Sequence, residues 1–299
     1  MNRTMKSLLK TTVLTFITLF NMSQAQNFKT LEAGKFTLDV YNASENSFGV
    51  ASVIVSGQMD AILVDAQFTL ADAENVAQKI KDSGKNLKAI YVSHNDPDFY
   101  FGLEVFKKHF PGVTAYATPK VVEEIARTAQ KKLDVWGGQL GSAVTSNVVL
   151  PQVLKGNSIE LEGEKLEVIG LEEFPARTFV YIPSAKAVVG GINVFGNTFN
   201  LWMADAQTDE SRAQWIKVLD KMASLHPSIV IPAHGKSTDA ADLTSVKHTK
   251  DYIQFYEEAL KTNTTSEALV KAIKAQYPNL TFETALQLGA KVNTGEMKW

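Results

Sequence analysis

The sequence predicts an α/β fold of the α+β type, in which β-sheets are covered by helices. Three observations predict it. Runs rich in β-branched and aromatic residues are broken by Asn, Ser or Gly, which is typical of strands. Segments with the helical spacing of apolar residues begin at capping residues and end at glycine. The two kinds of segment alternate along the chain, with hairpins at the start and in the middle, and this order favours a layered architecture.

The first strands are predicted between residues 35 and 66, in KFTLDVYNA, FGVASVIVSG and DAILVDA. TLADAENVAQKIKDSG then has helical spacing, with Thr69 as the predicted N-cap and Gly84 as the predicted C-cap. LKAIYVS follows as a strand and leads, through a short polar loop, into a helix over residues 102–110.

The remaining elements continue the alternation. VTAYATP is a predicted strand, residues 119–133 a helix, and SIELEGEKLEVIGL, RTFVYIPS and KAVVGG are strands. Residues 208–225 are predicted to be helical and SIVIPAHG to be a strand with a loop. No change of composition marks a domain boundary, so we predict one domain over residues 27–299. Its last part, residues 240–299, is a helical tail that packs against the body or against a partner subunit.

Residues 1–25 have the pattern of a secretory signal peptide. Three basic residues and no acid are found with the apolar run TTVLTFITLF, and Ser23-x-Ala25 offers a small-x-small cleavage site. The alternative is a membrane anchor, but the apolar run is short for a bilayer. We therefore expect cleavage after Ala25 and a periplasmic or secreted protein.

Charge and cysteine content exclude several functions. Cleavage would remove three basic residues and no acid, which changes the formal net charge from −2 to −5. A mildly acidic chain without a basic run argues against binding of nucleic acid or of an anionic membrane surface. The chain has no cysteine, which excludes a thiol nucleophile and a Cys-ligated metal. The expected partner is a small-molecule substrate or ligand, and the sequence leaves the oligomeric state open.

The polar loop YVSHNDPDFYFGLE, residues 91–104, concentrates the chemistry. His94, Asp96 and Asp98 lie within five positions, and Pro97 fixes the backbone between the two acids. Imidazole and carboxylate groups at this spacing are candidate metal ligands. The alternative interpretation is structural, because Asp is a common turn and N-cap residue before a helix.

Four segments, AILVDAQ, IYVSHNDPDFYFG, FVYIPSAKAVVGG and IVIPAHG, occur in an order that resembles the metallo-β-lactamase superfamily over about residues 35–240. The resemblance implies a four-layer αββα sandwich with a metal site at one end of the two sheets, here with a helical C-terminal extension. In such a site Asp65 would not bind the metal itself but would orient one of the side chains that do.

The metal motif of that family, H-x-H-x-D-H followed by a third His, a bridging Asp and a final His, is only partly present. Phe99 and Ile192 stand at two ligand positions and donate nothing. The ligand set that the resemblance implies is therefore two imidazoles and three carboxylates: His94, Asp96, Asp98, Glu173 and His234.

This set predicts one divalent ion or none. A dinuclear zinc centre is not expected without the bridging acid, and oxygen-rich coordination favours Mn²⁺ or Fe²⁺, although Zn²⁺ also accepts these ligands. Without a metal, the carboxylates would repel one another unless one is protonated or a Lys or Arg compensates them. Arg177 is the candidate for that role.

Two functions follow. The first is an exported hydrolase with a mononuclear site that acts on an ester, lactone or amide, in which Asp98 holds the attacking water or acts as its base. The alternative is an inactive relative that binds a small molecule or a partner without metal. For either function, seven aromatic residues would line an apolar pocket over the site or pack in the core: Phe99, Tyr100, Phe101, Trp136, Phe195, Phe199 and Trp202.

Overall fold

The computed structural model describes residues 28–299. The predicted signal peptide, residues 1–25, lies outside the described residues. Within residues 28–299, no helix combines the length and the apolar composition needed to cross a membrane.

The first sheet has seven strands that lie side by side in chain order. The first four pair antiparallel, and the last three are added in parallel. The strands are β1 (Phe28–Ala33), β2 (Phe36–Asn42), β3 (Ala51–Ser56), β4 (Asp60–Val64), β5 (Asn86–Val92), β6 (Thr114–Ala117) and β7 (Gln152–Val153).

The second sheet has five strands, and these also lie side by side in chain order. The first four pair antiparallel, and the last is parallel to its neighbour. The strands are β8 (Ser158–Leu161), β9 (Glu164–Ile169), β10 (Phe179–Ile182), β11 (Ala187–Val189) and β12 (Ile229–Val230).

Helices cover the outer faces of both sheets. They are α1 (Leu70–Ser83), α2 (Pro97–Tyr100), α3 (Leu103–His109), α4 (Pro119–Leu140), α5 (Asp209–Ser224), α6 (Leu243–Thr262), α7 (Ser266–Gln276) and α8 (Glu283–Asn293). The predicted caps of α1 are present, since Thr69 accepts the N–H of Asp72 and Gly84 ends the helix at a φ of 67°.

Three apolar clusters separate four layers. One cluster lies between the sheets and includes Leu38 from the first and Val168 from the second. Another packs the first sheet against α1, α3 and α4 and includes Phe106. The third packs the second sheet against the C-terminal helices and includes Trp215. The helix–sheet–sheet–helix order confirms the predicted αββα sandwich with a helical C-terminal region.

Two elements differ in extent from the sequence prediction. Helix α4 continues to Leu140 instead of ending at residue 133. The predicted helical tail consists of three separate helices. Residues 277–282 make one of the breaks, and Phe282 there has a left-handed backbone with a φ of 63°.

Parallel strands bring the polar loops to one end of the sandwich. Strands β4 and β5 are parallel, so the loops that begin at Asp65 and Ser93 leave the same edge of the first sheet. The loops that follow β11 and β12 leave the second sheet in the same way. The two edges meet where Gly191 donates its N–H to Ser93 Oγ over 2.7 Å.

Candidate functional site

The loop after β5 turns directly into α2 and positions the first three predicted ligands. Asp96 stands at the N-cap position with Pro97 as the first helical residue. The Asp96 side chain makes no capping bond, and its Oδ2 lies 3.4 Å from Nδ1 of His94. The same Nδ1 accepts a 3.2 Å hydrogen bond from the Asp96 backbone N–H. The turn therefore pairs His94 with Asp96 and leaves Asp98 buried, with 5% exposure.

His234, in the loop after β12, meets Asp98 from the other sheet. Its Nδ1 lies 3.1 Å from the carbonyl oxygen of Phe48, so this nitrogen is assigned the proton and Nε2 is left as an acceptor. Nε2 lies 3.7 Å from Asp98 Oδ2. Burial lowers the pKa of His234 to about 4. Burial, assisted by the charge of Asp96, raises the pKa of Asp98 well above its ordinary value, so both environments favour the neutral forms.

An aromatic ring contacts both histidines. Phe99 packs edge-on against His94 and His234, with ring centroids 5.4 Å and 5.8 Å apart. On its other side, His234 stacks on Phe195 at 4.9 Å. A phenyl ring thus occupies a place beside both imidazoles where the family motif has another ligand.

A lysine from α4 pairs with the loop. Lys132 Nζ donates to the carbonyl oxygen of Asn95 over 2.6 Å and lies 3.1 Å from Asp96 Oδ1. Burial opposes ionisation of Asp96, but His94 and Lys132 outweigh it and lower the pKa of this carboxyl. Asp96 is therefore a charged partner for an ammonium group.

The other sequence-predicted residues lie apart from this pairing. Glu173 is exposed. Arg177, the expected compensating cation, stacks its guanidinium over the Trp215 ring, 4.2 Å from the centroid. Burial lowers the pKa of Arg177 to about 10, although the charges of Asp205 and Asp96 oppose this. Ile192 lines the same cavity as Asp98 and His234, where it contributes only apolar surface.

The donors present do not fit the metal ion that the resemblance implies. They form two separate imidazole–carboxylate pairs, His94 with Asp96 and His234 with Asp98. Within residues 28–299, no three His, Asp or Glu side chains are grouped so that they could hold a metal ion. In addition, Asp96 faces the ammonium of Lys132. A structural or catalytic ion requires three or four donors that converge on one point. Here only two donors come together in each pair, so neither pair can hold such an ion.

Asp65 fixes the start of the loop after β5 by hydrogen bonds to Ser93. Its two carboxylate oxygens accept the backbone N–H and the hydroxyl of Ser93, each over 2.7 Å. Ser93 precedes His94, and its Oγ also accepts the Gly191 N–H. Asp65 is buried and is connected to the second sheet through the Ser93 hydroxyl.

A cavity of about 410 Å³ opens above these residues. Four of its polar lining residues, which we call the floor of the cavity, are Asp96, Asp98, Lys132 and His234. Most of the wall is apolar and includes five aromatic rings: Phe48, Trp136, Trp202, Phe282 and Trp299. The rings also contact one another, as Phe48 does with Trp136 at 5.4 Å. The volume lies within the range of small-molecule sites.

Sequence reasoning named only some of these residues. Of the seven aromatic residues expected to line a pocket or pack in the core, Trp136 and Trp202 line the cavity. The other five are buried in the core: Phe99, Tyr100, Phe101, Phe195 and Phe199. Lys132, Phe282 and Trp299 were not singled out. The pattern carries no signal for them, because they come from helix α4, from the break before α8 and from the chain end, and only the tertiary fold brings them to the loop.

The comparisons with known proteins agree with this architecture. The sequence pattern described as the metallo-beta-lactamase superfamily matches residues 46–234. No curated protein matched the chain.

Among solved structures, a beta-lactamase domain protein from Burkholderia ambifaria superposes with a TM-score of 0.60 at 14% identity, covering 89% of this chain and 86% of that chain. A metallo-beta-lactamase from Hirschia baltica gives 0.54 at 19%, with 76% and 98% covered. One from Pontibacter korlensis gives 0.51 at 17%, with 76% and 99% covered. At these identities the likeness concerns the fold. The family match spans more than half of the sequence, and the chain belongs to the metallo-β-lactamase superfamily.

Proposed function

We propose that the protein binds a small amphipathic molecule in the cavity and does so without a metal ion. One observation carries the proposal: an aromatic-walled cavity of about 410 Å³ ends on a polar floor whose donors are arranged in pairs. Apolar walls with a few convergent polar groups are typical of small-molecule sites. This is the inactive relative that the sequence offered as the alternative, with a small molecule as its ligand.

The floor indicates the chemistry of the ligand's polar end. His234 offers Nε2 as an acceptor, because its Nδ1 donates to the Phe48 carbonyl. Asp98 has a raised pKa and in its protonated form offers a donor. A ligand group that both donates and accepts, such as a hydroxyl or an amide, complements this pair. The ligand body would be apolar or aromatic, since it packs against tryptophan and phenylalanine rings.

A second candidate is the hydrolase that the sequence predicts. Membership in the superfamily favours it, and so does the buried acid–imidazole pair at the end of the cavity. The separate donor pairs and the Lys132 ammonium disfavour the mononuclear metal site on which that prediction rests.

The two candidates are separated by one pair of assays. The first measures the fluorescence of 1-anilinonaphthalene-8-sulfonate, which increases in apolar cavities, with and without EDTA. We expect saturable one-site binding that EDTA does not change. Thr128→Phe, which fills the cavity from α4, should abolish it, whereas Val153→Phe, on exposed strand β7, should not. No saturation, or loss of binding on chelation, would contradict the proposal.

The second assay measures turnover of 1-naphthyl acetate and of a chromogenic β-lactam, with added Mn²⁺ or Zn²⁺ and with chelator. The binding proposal expects rates no higher than those of an Asp98→Asn, His234→Ala double variant. Metal-dependent turnover that this variant loses would establish the hydrolase instead.

A further inference from the structure

Among the basic residues near the site, Lys132 is the one whose ammonium group contacts the loop of Asp96 in the described part of the chain. Its Nζ approaches two oxygens of the loop, at 2.6 Å from the Asn95 carbonyl and 3.1 Å from Asp96 Oδ1. The side chain is 21% exposed, so water screens this contact less than it would a surface pair. One ammonium group therefore contacts both the backbone and a carboxylate of the loop.

We propose that the Lys132 ammonium is the resident cation of this loop and excludes a divalent ion from it. Two carboxylates in one turn need positive charge nearby or must give up ionisation. In a metal site the ion supplies that charge, whereas here the lysine supplies it to Asp96. A divalent ion bound to Asp96 would have to displace the ammonium or remain a few ångströms from it, and like charges at that distance repel.

The other nearby cations are not placed for this role. Arg177 is half-buried and stacks its guanidinium on the Trp215 ring, 4.2 Å from the centroid. Lys131 precedes Lys132 on α4 and also lines the cavity, but it is exposed and makes no ion pair with a carboxylate in the described part of the chain. Successive helical residues point about 100° apart, so only one of the two lysines faces the loop.

Removing the ammonium should raise the affinity of the loop for a divalent ion, although the donor pair there can form only a weak site. Asp96 would lose its ammonium partner, while His94 Nδ1 remains 3.4 Å from Asp96 Oδ2. The uncompensated Asp96 carboxylate would then attract a divalent cation from solution. The proposal does not depend on the ligand of the cavity, since it concerns only the charge balance of the loop.

The test is isothermal titration calorimetry, in which metal-depleted protein is titrated with Mn²⁺ alone and, separately, with Zn²⁺ alone. Lys132→Leu removes the charge and keeps much of the side-chain volume. Lys132→Arg keeps the charge. Lys131→Leu, the matched control, removes a lysine one position away. We expect Lys132→Leu to bind one ion at least about tenfold more tightly than the wild type, which corresponds to about 1.4 kcal/mol, while Lys132→Arg and Lys131→Leu bind as the wild type does.

Three results would overturn the proposal: equal affinity in wild type and Lys132→Leu, no binding in either, or an equal gain in Lys131→Leu. Circular dichroism and urea unfolding establish that each variant is folded. If Lys132→Leu does not fold, Lys132→Ala provides the same comparison, because it removes the charge without adding apolar bulk at the cavity.

Discussion

Asp65 gives the most quantitative prediction, because it is a buried acid that links the site loops. It accepts the N–H and hydroxyl of Ser93 at 2.7 Å each, and it has a left-handed backbone with a φ of 65°. Burial raises its pKa from the ordinary 3.8 to about 7, against the opposing effect of the Ser93 hydrogen bonds. Asparagine is nearly isosteric and tolerates a positive φ, so Asp65→Asn removes the titration with little change of shape.

The direction in which pH changes the free energy of unfolding follows from the number of protons that the folded and unfolded states bind. Between pH 3.8 and about 7 the folded protein keeps the Asp65 proton while the unfolded chain has lost it. Folding is then coupled to proton uptake, and the free energy of unfolding falls as pH rises. The contribution is fully present below pH 3.8 and is lost above about 7. Three pKa units correspond to about 4 kcal/mol, as an order of magnitude.

The assay is urea unfolding of wild type and Asp65→Asn at pH values from 4 to 8. The stability difference between the two should shift by a few kcal/mol in favour of Asp65→Asn as pH rises. Comparing the two proteins at each pH cancels the contributions of the other titrating groups to the free energy of unfolding. One of these is His234, whose lowered pKa makes stability rise with pH. Asp82→Asn, at an exposed position, serves as the control. A stability difference that is independent of pH would refute the reasoning.

Three further predictions concern export, packing and the floor of the cavity. Mature protein recovered from the periplasm or medium should begin at Gln26 by N-terminal sequencing; soluble cytoplasmic protein with an intact Met1 would contradict this. Phe99→Ala should lower the free energy of unfolding by about 3–5 kcal/mol in urea titrations, because the ring is fully buried against two imidazoles; a loss below about 1 kcal/mol would show that the ring is not packed as described. His234→Ala should cost about 1–3 kcal/mol through the unpaired Phe48 carbonyl, and dye binding in the cavity should remain measurable; loss of the dye site together with bound metal would favour the hydrolase.

The fold could be predicted from the sequence because its signals are local and ordered. Strand and helix patterns specify the layers, and the four family segments place the polar loops at the ends of parallel strands. His94, Asp98 and His234 could be named for the same reason. Each stands directly after a strand pattern, where side chains from distant parts of the chain meet.

The charge partner of the loop could not be predicted. Lys132 is 36 residues from Asp96 and is adjacent to a second lysine in the same helix, so its selection depends on the rotation of α4 about its axis. Arg177 was the expected cation because it follows Glu173 closely in the sequence, but the face of Trp215 competes for its guanidinium. Glu173 matched the family spacing, yet spacing does not reveal that the side chain is exposed.

Metal content of the wild-type protein tests the central claim most directly. The protein should be purified without chelator, with Mn²⁺, Fe²⁺ and Zn²⁺ available during expression, and then measured by inductively coupled plasma mass spectrometry against protein concentration. The paired donors and the Lys132 ammonium predict well below one ion per chain for every metal. One or more tightly held ions per chain would contradict the account and restore the metal-dependent hydrolase.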